Sequence, residues 1–159
     1  MIVVSDTTPI HYLILIDEIE LLPRLLGSIV IPEVVFQELQ HSNTPDDIRD
    51  YLSVVPSWLS VRASTGIIDP LLFEIDPGER EAILLAEELA ADGILIDDLA
   101  GREVAIERGL RVLGTLGLLE LAHKADLIDF LVSFDNLKQA GFYVSRSLEN
   151  KLRRKYGEI

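Results

Sequence analysis

Five acidic residues lie at positions where an acidic side chain is not expected. Asp6 directly follows a short apolar run, and Asp97 and Asp98 directly follow a second one. Glu38 and Glu79 lie on the apolar stripes of predicted helices, three or four residues from aliphatic side chains. A carboxylate in such a place is costly unless it is paired or binds a metal ion. These five residues are therefore the candidates for a functional site.

Carboxylates without histidine or cysteine partners are ligands of hard cations. The chain has no cysteine, and its histidines show no metal-ligand spacing (His11, His41 and His123). Oxygen ligands alone select Mg²⁺ or Mn²⁺ over zinc. Such ions support phosphodiester hydrolysis, in which one ion activates a water and the pair stabilises the attacking and leaving oxygens. This chemistry makes no use of a 2′-hydroxyl group, so the acids by themselves leave RNA and DNA open.

Each acid also has a purely structural interpretation. Asp6 and Asp98 could cap the helices that follow them. Glu79 could complete a capping box with Asp76, three residues earlier. Glu38 has the weakest structural alternative, because it is predicted near the C-terminal end of its helix, where the dipole disfavours an anion. The interpretation as a site rests on all the acids being brought together.

The surrounding pattern alternates short β-branched runs with amphipathic helices. It predicts an α/β fold: a three-layer α/β/α domain with a central, mainly parallel sheet of four to five strands. Strands are predicted at residues 2–5, 29–31, 58–61, 93–96 and 111–113. Helices are predicted at about residues 9–16, 19–26, 32–40, 45–52, 77–90, 99–108, 117–124, 128–140 and 146–156.

In open parallel sheets, ligands bind beyond the carboxyl ends of the strands. Asp6, Asp97 and Asp98 are predicted at that edge, and Glu38 and Glu79 point inward from their helices. We therefore expect the acids to converge into one metal-sized cluster. The turn before residue 118 could in addition set Thr115 and a helix N-terminus against a phosphate or a metal-bound water.

The whole chain has the size and composition of one globular domain, expected over residues 1–157. No apolar run approaches the roughly 20 residues of a membrane span, and the N-terminus lacks the features of a signal peptide. A cytoplasmic protein is expected. The net charge is −13, but residues 1–99 carry 19 acids and 4 bases, whereas residues 100–159 carry 8 acids and 10 bases. Arg153 and Arg154 lie in that late basic run and are candidate RNA contacts, with a solvated helix end as the alternative.

Several motifs, taken in order, resemble those of PIN domains. They are Ser5-Asp6-Thr7-Thr8-Pro9, Ile31-Pro32-x-x-Val35-x-x-Glu38-Leu39, Asp76-x-Gly78-Glu79-x-Glu81-Ala82-Ile83 and Ile96-Asp97-Asp98-x-x-Gly101-Arg102. The later Gly109-Leu110-x-Val112-x-Gly114-Thr115-Leu116-Gly117 and Gly141-Phe142-x-Val144-Ser145 continue the likeness. The similarity spans about residues 1–157 and is greatest to a VapC-like branch in bacteria and archaea.

The resemblance implies a metal-dependent ribonuclease, often the toxin of a toxin–antitoxin pair, commonly a homodimer and inhibited by a small antitoxin. Asp6, Glu38 and Glu79 match the first three acids of the family. The last acid matches Asp97 or Asp98, with Asp98 favoured. The chain departs from many such toxins in its acidity and in having Glu79 where aspartate is often seen.

Two other functions compete with the nuclease. A non-catalytic PIN-like module could bind a partner protein, with the acids as a weak metal site. A phosphatase with Asp6 as nucleophile is disfavoured, because haloacid-dehalogenase-type enzymes place a second aspartate two residues later, where this chain has Thr8. A dimer interface is expected on the apolar N-terminal helices (Ile10, Tyr12, Leu13, Leu15, Ile16, Leu21, Leu22, Leu25 and Leu26).

Overall fold

The computed structural model describes residues 1–65 and 69–157, and within them five strands form one parallel sheet. The strands are β1 (Ile2–Ser5), β2 (Ser28–Pro32), β3 (Leu59–Arg62), β4 (Gly93–Leu95) and β5 (Val112–Leu113). Their order across the sheet is β3-β2-β1-β4-β5, so β1 is central. All four pairings are parallel. The predicted α/β fold is confirmed, and each predicted strand is present to within one or two residues.

Nine α-helices connect or follow these strands in the described part of the chain. They are α1 (Thr7–Leu15), α2 (Leu21–Leu26), α3 (Glu33–Leu39), α4 (Asp46–Leu52), α5 (Pro77–Glu88), α6 (Leu99–Glu107), α7 (Thr115–Lys124), α8 (Phe130–Gln139) and α9 (Arg146–Lys155). A 3₁₀ turn at Pro70–Leu72 was not predicted. None of the described helices has both the length and the apolarity to cross a membrane.

Side chains of the central strands alternate between two hydrophobic cores, as the period of two in a strand requires. Val3 belongs to the larger core, which contains residues from α1 to α4 and α7 to α9. Val4, its neighbour, belongs to the smaller core under α5 and α6. The sheet is therefore covered on both faces, which is why its strands are apolar throughout.

The N-terminal helices bury most of their apolar residues inside this chain. Ile10, Leu13 and Leu22 are fully buried, and Tyr12 is only partly exposed. They pack in the larger core with residues of α7 and α8. Most of the apolar surface of α1 and α2 is thus buried within the chain. This surface was the reason for predicting a dimer interface there.

Candidate functional site

Three of the five acids follow the two neighbouring strands at which the chain order of the sheet reverses. From the central β1, the sheet continues through β2 on one side and β4 on the other. Asp6 follows β1, and its backbone N–H donates to the Leu95 carbonyl of β4 at 2.9 Å. Asp97 and Asp98 lie just beyond β4. Such a switch point opens a crevice at the carboxyl edge, where α/β proteins bind their ligands.

Asp6 occupies the N-cap position of α1, but its side chain accepts no capping hydrogen bond. The side chain is buried, with 6% of the residue exposed. Burial raises the pKa of Asp6 to about 7; the Thr7 backbone N–H opposes this shift, and the charges of Asp76, Glu38 and Asp97 add to it. The structural alternative of a helix cap therefore does not account for this carboxyl group.

Glu79 is the second buried acid, with 4% of the residue exposed. Asp76 caps α5 by accepting the Glu79 N–H at 2.9 Å, as predicted. The Glu79 carboxyl group, however, lies against α6, where a methyl group on Gly101 would come within 2.1 Å of Oε2. Among the described residues Oε2 has no hydrogen-bond partner. Burial raises the pKa of Glu79 to about 9; a hydrogen bond with the Asp76 side chain and the charges of Asp76, Asp98 and Asp6 add to the shift.

Glu38 does not point inward as predicted but is exposed at the mouth of the crevice. It lies near the C-terminal end of the seven-residue α3, and its carboxylate accepts a hydrogen bond from the Thr7 hydroxyl. A methyl group on Gly78 would lie 3.0 Å from both Glu38 Oε1 and Asp6 Oδ1. The two oxygens are therefore at most 6.0 Å apart, twice 3.0 Å. Glycine at position 78 lets both acids approach the start of α5.

Asp97 and Asp98 have different environments. Asp97 accepts hydrogen bonds from the Thr115 backbone N–H at 2.7 Å and from its hydroxyl at 2.6 Å. Burial raises the pKa of Asp97, while the two Thr115 bonds and the Arg102 charge lower it. A methyl group on Gly114 would lie 2.9 Å from Asp97 Oδ1. Asp98 is exposed and, although at the N-cap of α6, makes no side-chain cap.

Thr115 was predicted as a contact to phosphate or to a metal-bound water. In the structure it is fully buried, and its hydroxyl donates to Asp97. Its role is therefore to orient an acid at the N-terminus of α7. Asp76 is the site residue that sequence reasoning missed, since it was considered only as a cap. Its charge is the largest carboxylate contribution at both Asp6 and Glu79.

The acids share one edge of the sheet without forming a finished ligand set. Across residues 1–65 and 69–157, no three acidic or histidine side chains already have an arrangement that could hold a metal ion. Asp6 and Glu38 lie near Gly78, Glu79 faces α6, and Asp97 is directed at Thr115. The expected convergence into a single cluster is thus incomplete.

The donor set nevertheless fits a divalent cation. The acids at the crevice offer carboxylate oxygens, which hard cations prefer. Oε2 of Glu79, which has no hydrogen-bond partner among the described residues, is a ligand atom for such an ion. Asp6, Glu38, Glu79, Asp97 and Asp98 remain the residues that could hold Mg²⁺ or Mn²⁺.

The basic residues predicted to contact RNA divide into two kinds. Arg153 is engaged within the protein: it pairs with Asp135 at 2.7 Å and with Glu149 at 3.0 Å, and its guanidinium lies over the Phe134 ring. Arg154 is exposed on the same helix. Of the two, Arg154 is the more exposed.

Two histidines have local structural roles. Nδ1 of His41 accepts the Asn43 N–H at 3.1 Å, and Nδ1 of His123 accepts the Phe130 N–H at 3.0 Å. Both bonds stabilise the chain where helices end or begin. This agrees with the absence of metal-ligand spacing in the sequence.

The fold and the site define an α/β domain with a carboxylate-lined crevice at the switch point of a parallel sheet. A family model described as a PIN domain (DUF3368) matches residues 2–158, and the chain belongs to this family. PIN domains are generally nucleases that use divalent metal ions.

A solved structure has the same fold. It is a PilT N-terminus domain protein from the hyperthermophilic archaeon Sulfolobus solfataricus P2, similar with a TM-score of 0.57 and 23% identity. The likeness covers 77% of this chain and 93% of that chain. No curated protein matches the sequence significantly.

Proposed function

We propose that this PIN domain is an endoribonuclease that depends on Mg²⁺ or Mn²⁺. Asp6, Glu38, Glu79 and Asp98 are the proposed catalytic acids, and Asp97 is a further metal ligand. The proposal includes hydrolysis of RNA phosphodiester bonds. It is supported by the family, by the oxygen-only donor set and by the position of the crevice.

The observation that carries the proposal is the pair of buried acids at the switch point. Burial raises the pKa of Asp6 to about 7 and that of Glu79 to about 9. Keeping both groups ionised in this place requires a positive charge, and none of the cationic side chains is among the causes of either shift. A divalent cation satisfies that requirement and the free Oε2 of Glu79 together.

The bound ion would supply a nucleophilic water and stabilise the phosphate charge that develops. The chain's own residues then have separate tasks. Asp6 and Glu79 provide buried anionic ligands, and Glu38 provides one at the open mouth. Thr115 holds Asp97 in a single orientation. Arg102, beside Asp97, offers a cation for a phosphate oxygen.

We further propose that the protein is the toxin of a toxin–antitoxin pair, inhibited by a small antitoxin protein, and that it forms a homodimer. The support is the ordered set of motifs resembling the VapC-like branch. Expression of the wild type should arrest growth, whereas Asp6→Asn should not. Normal growth at equal wild-type expression would contradict the toxin role, and a monomer by light scattering at tens of micromolar would contradict the dimer.

The nuclease itself is tested with a labelled, unstructured oligoribonucleotide. Cleavage should be absent in EDTA, restored by Mg²⁺ or Mn²⁺, and not restored by Ca²⁺, whose looser coordination suits in-line attack poorly. Asp6→Asn should reduce the rate at least about 100-fold, because it removes an anionic ligand while keeping the shape. A DNA strand of the same sequence tests the choice of substrate.

Glu107→Gln is the matched control, since it neutralises an exposed acid on α6 away from the crevice. It should cleave at the wild-type rate. Circular dichroism should show that both variants fold. Equal cleavage in EDTA, or full activity of Asp6→Asn, would refute the metal-nuclease proposal and leave the non-catalytic binding module as the better explanation.

A further inference from the structure

A cavity of about 400 Å³ opens directly beside the acidic crevice. Asp97 and Arg102 belong to its lining and so join it to the candidate site. The remaining lining comes from α6, β5, the start of α7, the segment after α8 and the start of α9. Its size falls within the range of about 300–1,000 Å³ that is usual for small-ligand sites.

The walls of this cavity are mainly apolar and include one unusually exposed aromatic ring. Tyr143 is 85% exposed, and Leu99 at the start of α6 is 69% exposed. Further apolar lining comes from Val112, Leu113, Leu116, Phe142 and Leu148. Gly114 and Gly117 add no side chain to the floor. A flat, largely apolar solute with a polar edge fits these walls.

Arg102 stands between the cavity and the acids. Its Nη1 donates to the Ile96 carbonyl at 3.2 Å, and it packs where a methyl group on Gly114 would come within 2.5 Å. A guanidinium group has five N–H donors, so this one bond leaves others for an anion. The site therefore presents a fixed cation next to an aromatic platform, in a chain whose net charge is −13.

We infer that this cavity binds one unpaired nucleobase of the RNA strand, stacked on Tyr143, with the adjoining phosphate at Arg102. The inference rests on the proposed function, because a phosphodiester held at the acids would place the neighbouring base at the cavity. Aromatic stacking is a common way of binding single-stranded RNA. A protein segment fits less well, since an apolar segment would leave the remaining N–H donors of Arg102 unused.

A base that is paired in a duplex cannot enter such a cavity. The enzyme should therefore cleave unstructured RNA and spare the same sequence in a duplex. The preference for single strands then comes from stacking of a free base in the cavity and not from hydrogen bonds to base edges. Tyr143 is therefore the residue expected to determine this preference.

The test compares Tyr143→Ala with Tyr143→Phe, which keeps the ring. Val54→Ala is the control, because Val54 is a similarly exposed apolar residue in the loop before β3. The probe is fluorescein-labelled hexaadenylate. In Mg²⁺, Tyr143→Ala should raise KM about tenfold, whereas Tyr143→Phe should stay within about twofold. Anisotropy in Ca²⁺ should give the same order of affinities, and a gel should show that the RNA stays intact.

Hexaadenylates with a single abasic position locate the base. One position should weaken wild-type binding about tenfold and have no further effect in Tyr143→Ala. Metal-dependent cleavage with unchanged KM in Tyr143→Ala would overturn the nucleobase site and leave the nuclease standing. RNA binding that depends on Tyr143, without any cleavage, would overturn the nuclease and leave the nucleobase site standing. Binding of a protein segment at Tyr143, with RNA affinity unaffected, would also overturn the inference.

Discussion

At the scale of single residues, the site consists of carboxyl groups in places where water solvates them poorly. Asp6 and Glu79 are buried, and neither has a cationic side chain among the causes that shift its pKa. Without metal, the fold favours their protonated forms. With metal, the same burial would favour the complex, since an anion and a cation attract more strongly where water is excluded. Burial of the two acids thus destabilises the metal-free protein when they are ionised, and it strengthens their binding to a cation.

The stability of the metal-free protein should fall as pH rises. Burial raises the pKa of Asp6 from 3.8 to about 7 and that of Glu79 from 4.5 to about 9. Between these pKa values the folded state holds protons that the unfolded chain releases. The stability that the two protonated acids contribute is therefore complete below pH 4 and is lost progressively up to about pH 9. Chemical denaturation in EDTA between pH 5 and pH 9 measures it.

Asp6→Asn should flatten this pH dependence and raise the free energy of unfolding at pH 8 by about 1–3 kcal/mol. Glu107→Gln should leave the profile unchanged. Mn²⁺ at pH 8 should stabilise the wild type more than Asp6→Asn. A wild-type profile that is flat or rises between pH 5 and pH 9 would contradict the burial of these two acids.

Thr115 offers a second test at this scale. Thr115→Val keeps the shape but removes the hydroxyl that donates to Asp97. We expect the cleavage rate to fall about tenfold or more, as is typical when a group that orients a metal ligand is lost. Thr115→Ser restores the hydroxyl and should recover most of the rate. Equal rates in the Val and Ser variants would show that Asp97 needs no such orientation.

At the scale of elements, close approach of α5 and α6 places Glu79. Gly101 on α6 supplies the space: a methyl group there would lie 2.1 Å from Glu79 Oε2 and 2.7 Å from Ile96 Cδ1. Glycine inside a helix costs up to about 1 kcal/mol relative to alanine. The sequence retains it at position 101 because the helix packs directly against a carboxyl group.

Gly101→Ala should therefore destabilise the protein by about 1–3 kcal/mol, as overpacking does, despite the better helix propensity of alanine. In a Glu79→Ala background the same substitution should be less harmful, because the colliding oxygen is gone and only the contact with the flexible end of Ile96 remains. Urea denaturation of the four proteins measures this coupling. If the two substitutions changed the free energy of unfolding additively, the methyl group at position 101 would not collide with the Glu79 carboxyl group.

At the scale of the whole molecule, the charge pattern looks different in three dimensions than along the chain. The late bases seemed to form a positive region, yet several pair with neighbouring acids. Lys155 pairs with Glu120 at 3.3 Å, and Lys138 pairs with Glu149. The basic end of the chain is thus partly neutralised, so a cation at the crevice becomes more important for attracting RNA.

Arg153 and Arg154 should differ when replaced one at a time by alanine. Arg153→Ala should lower the free energy of unfolding by about 1 kcal/mol, because ion pairs and a cation–π contact are lost. Arg154→Ala should leave stability within about 0.5 kcal/mol. If Arg154 contacts RNA, its loss should weaken binding and reduce the salt dependence by about one phosphate contact. A larger loss of stability in Arg154→Ala than in Arg153→Ala would contradict the ion pairs of Arg153.

Local signals in the sequence determined most of the elements. The boundaries of β1 are those predicted, and α5 begins at Pro77 with Asp76 as its cap. These features depend on residues within a few positions of one another: the runs of apolar side chains, the capping acid and the proline. Placement of Asp6, Asp97 and Asp98 at strand ends followed from the same short-range pattern.

Tertiary structure alone decided how the acids face one another. The Thr115–Asp97 bond joins residues 18 positions apart, and Glu38 is exposed because the short α3 carries it to the mouth of the crevice. Asp76 joined the site only through the packing of α5 on β1. Such contacts depend on the strand order β3-β2-β1-β4-β5, which arises from burial across the whole chain and has no local signal.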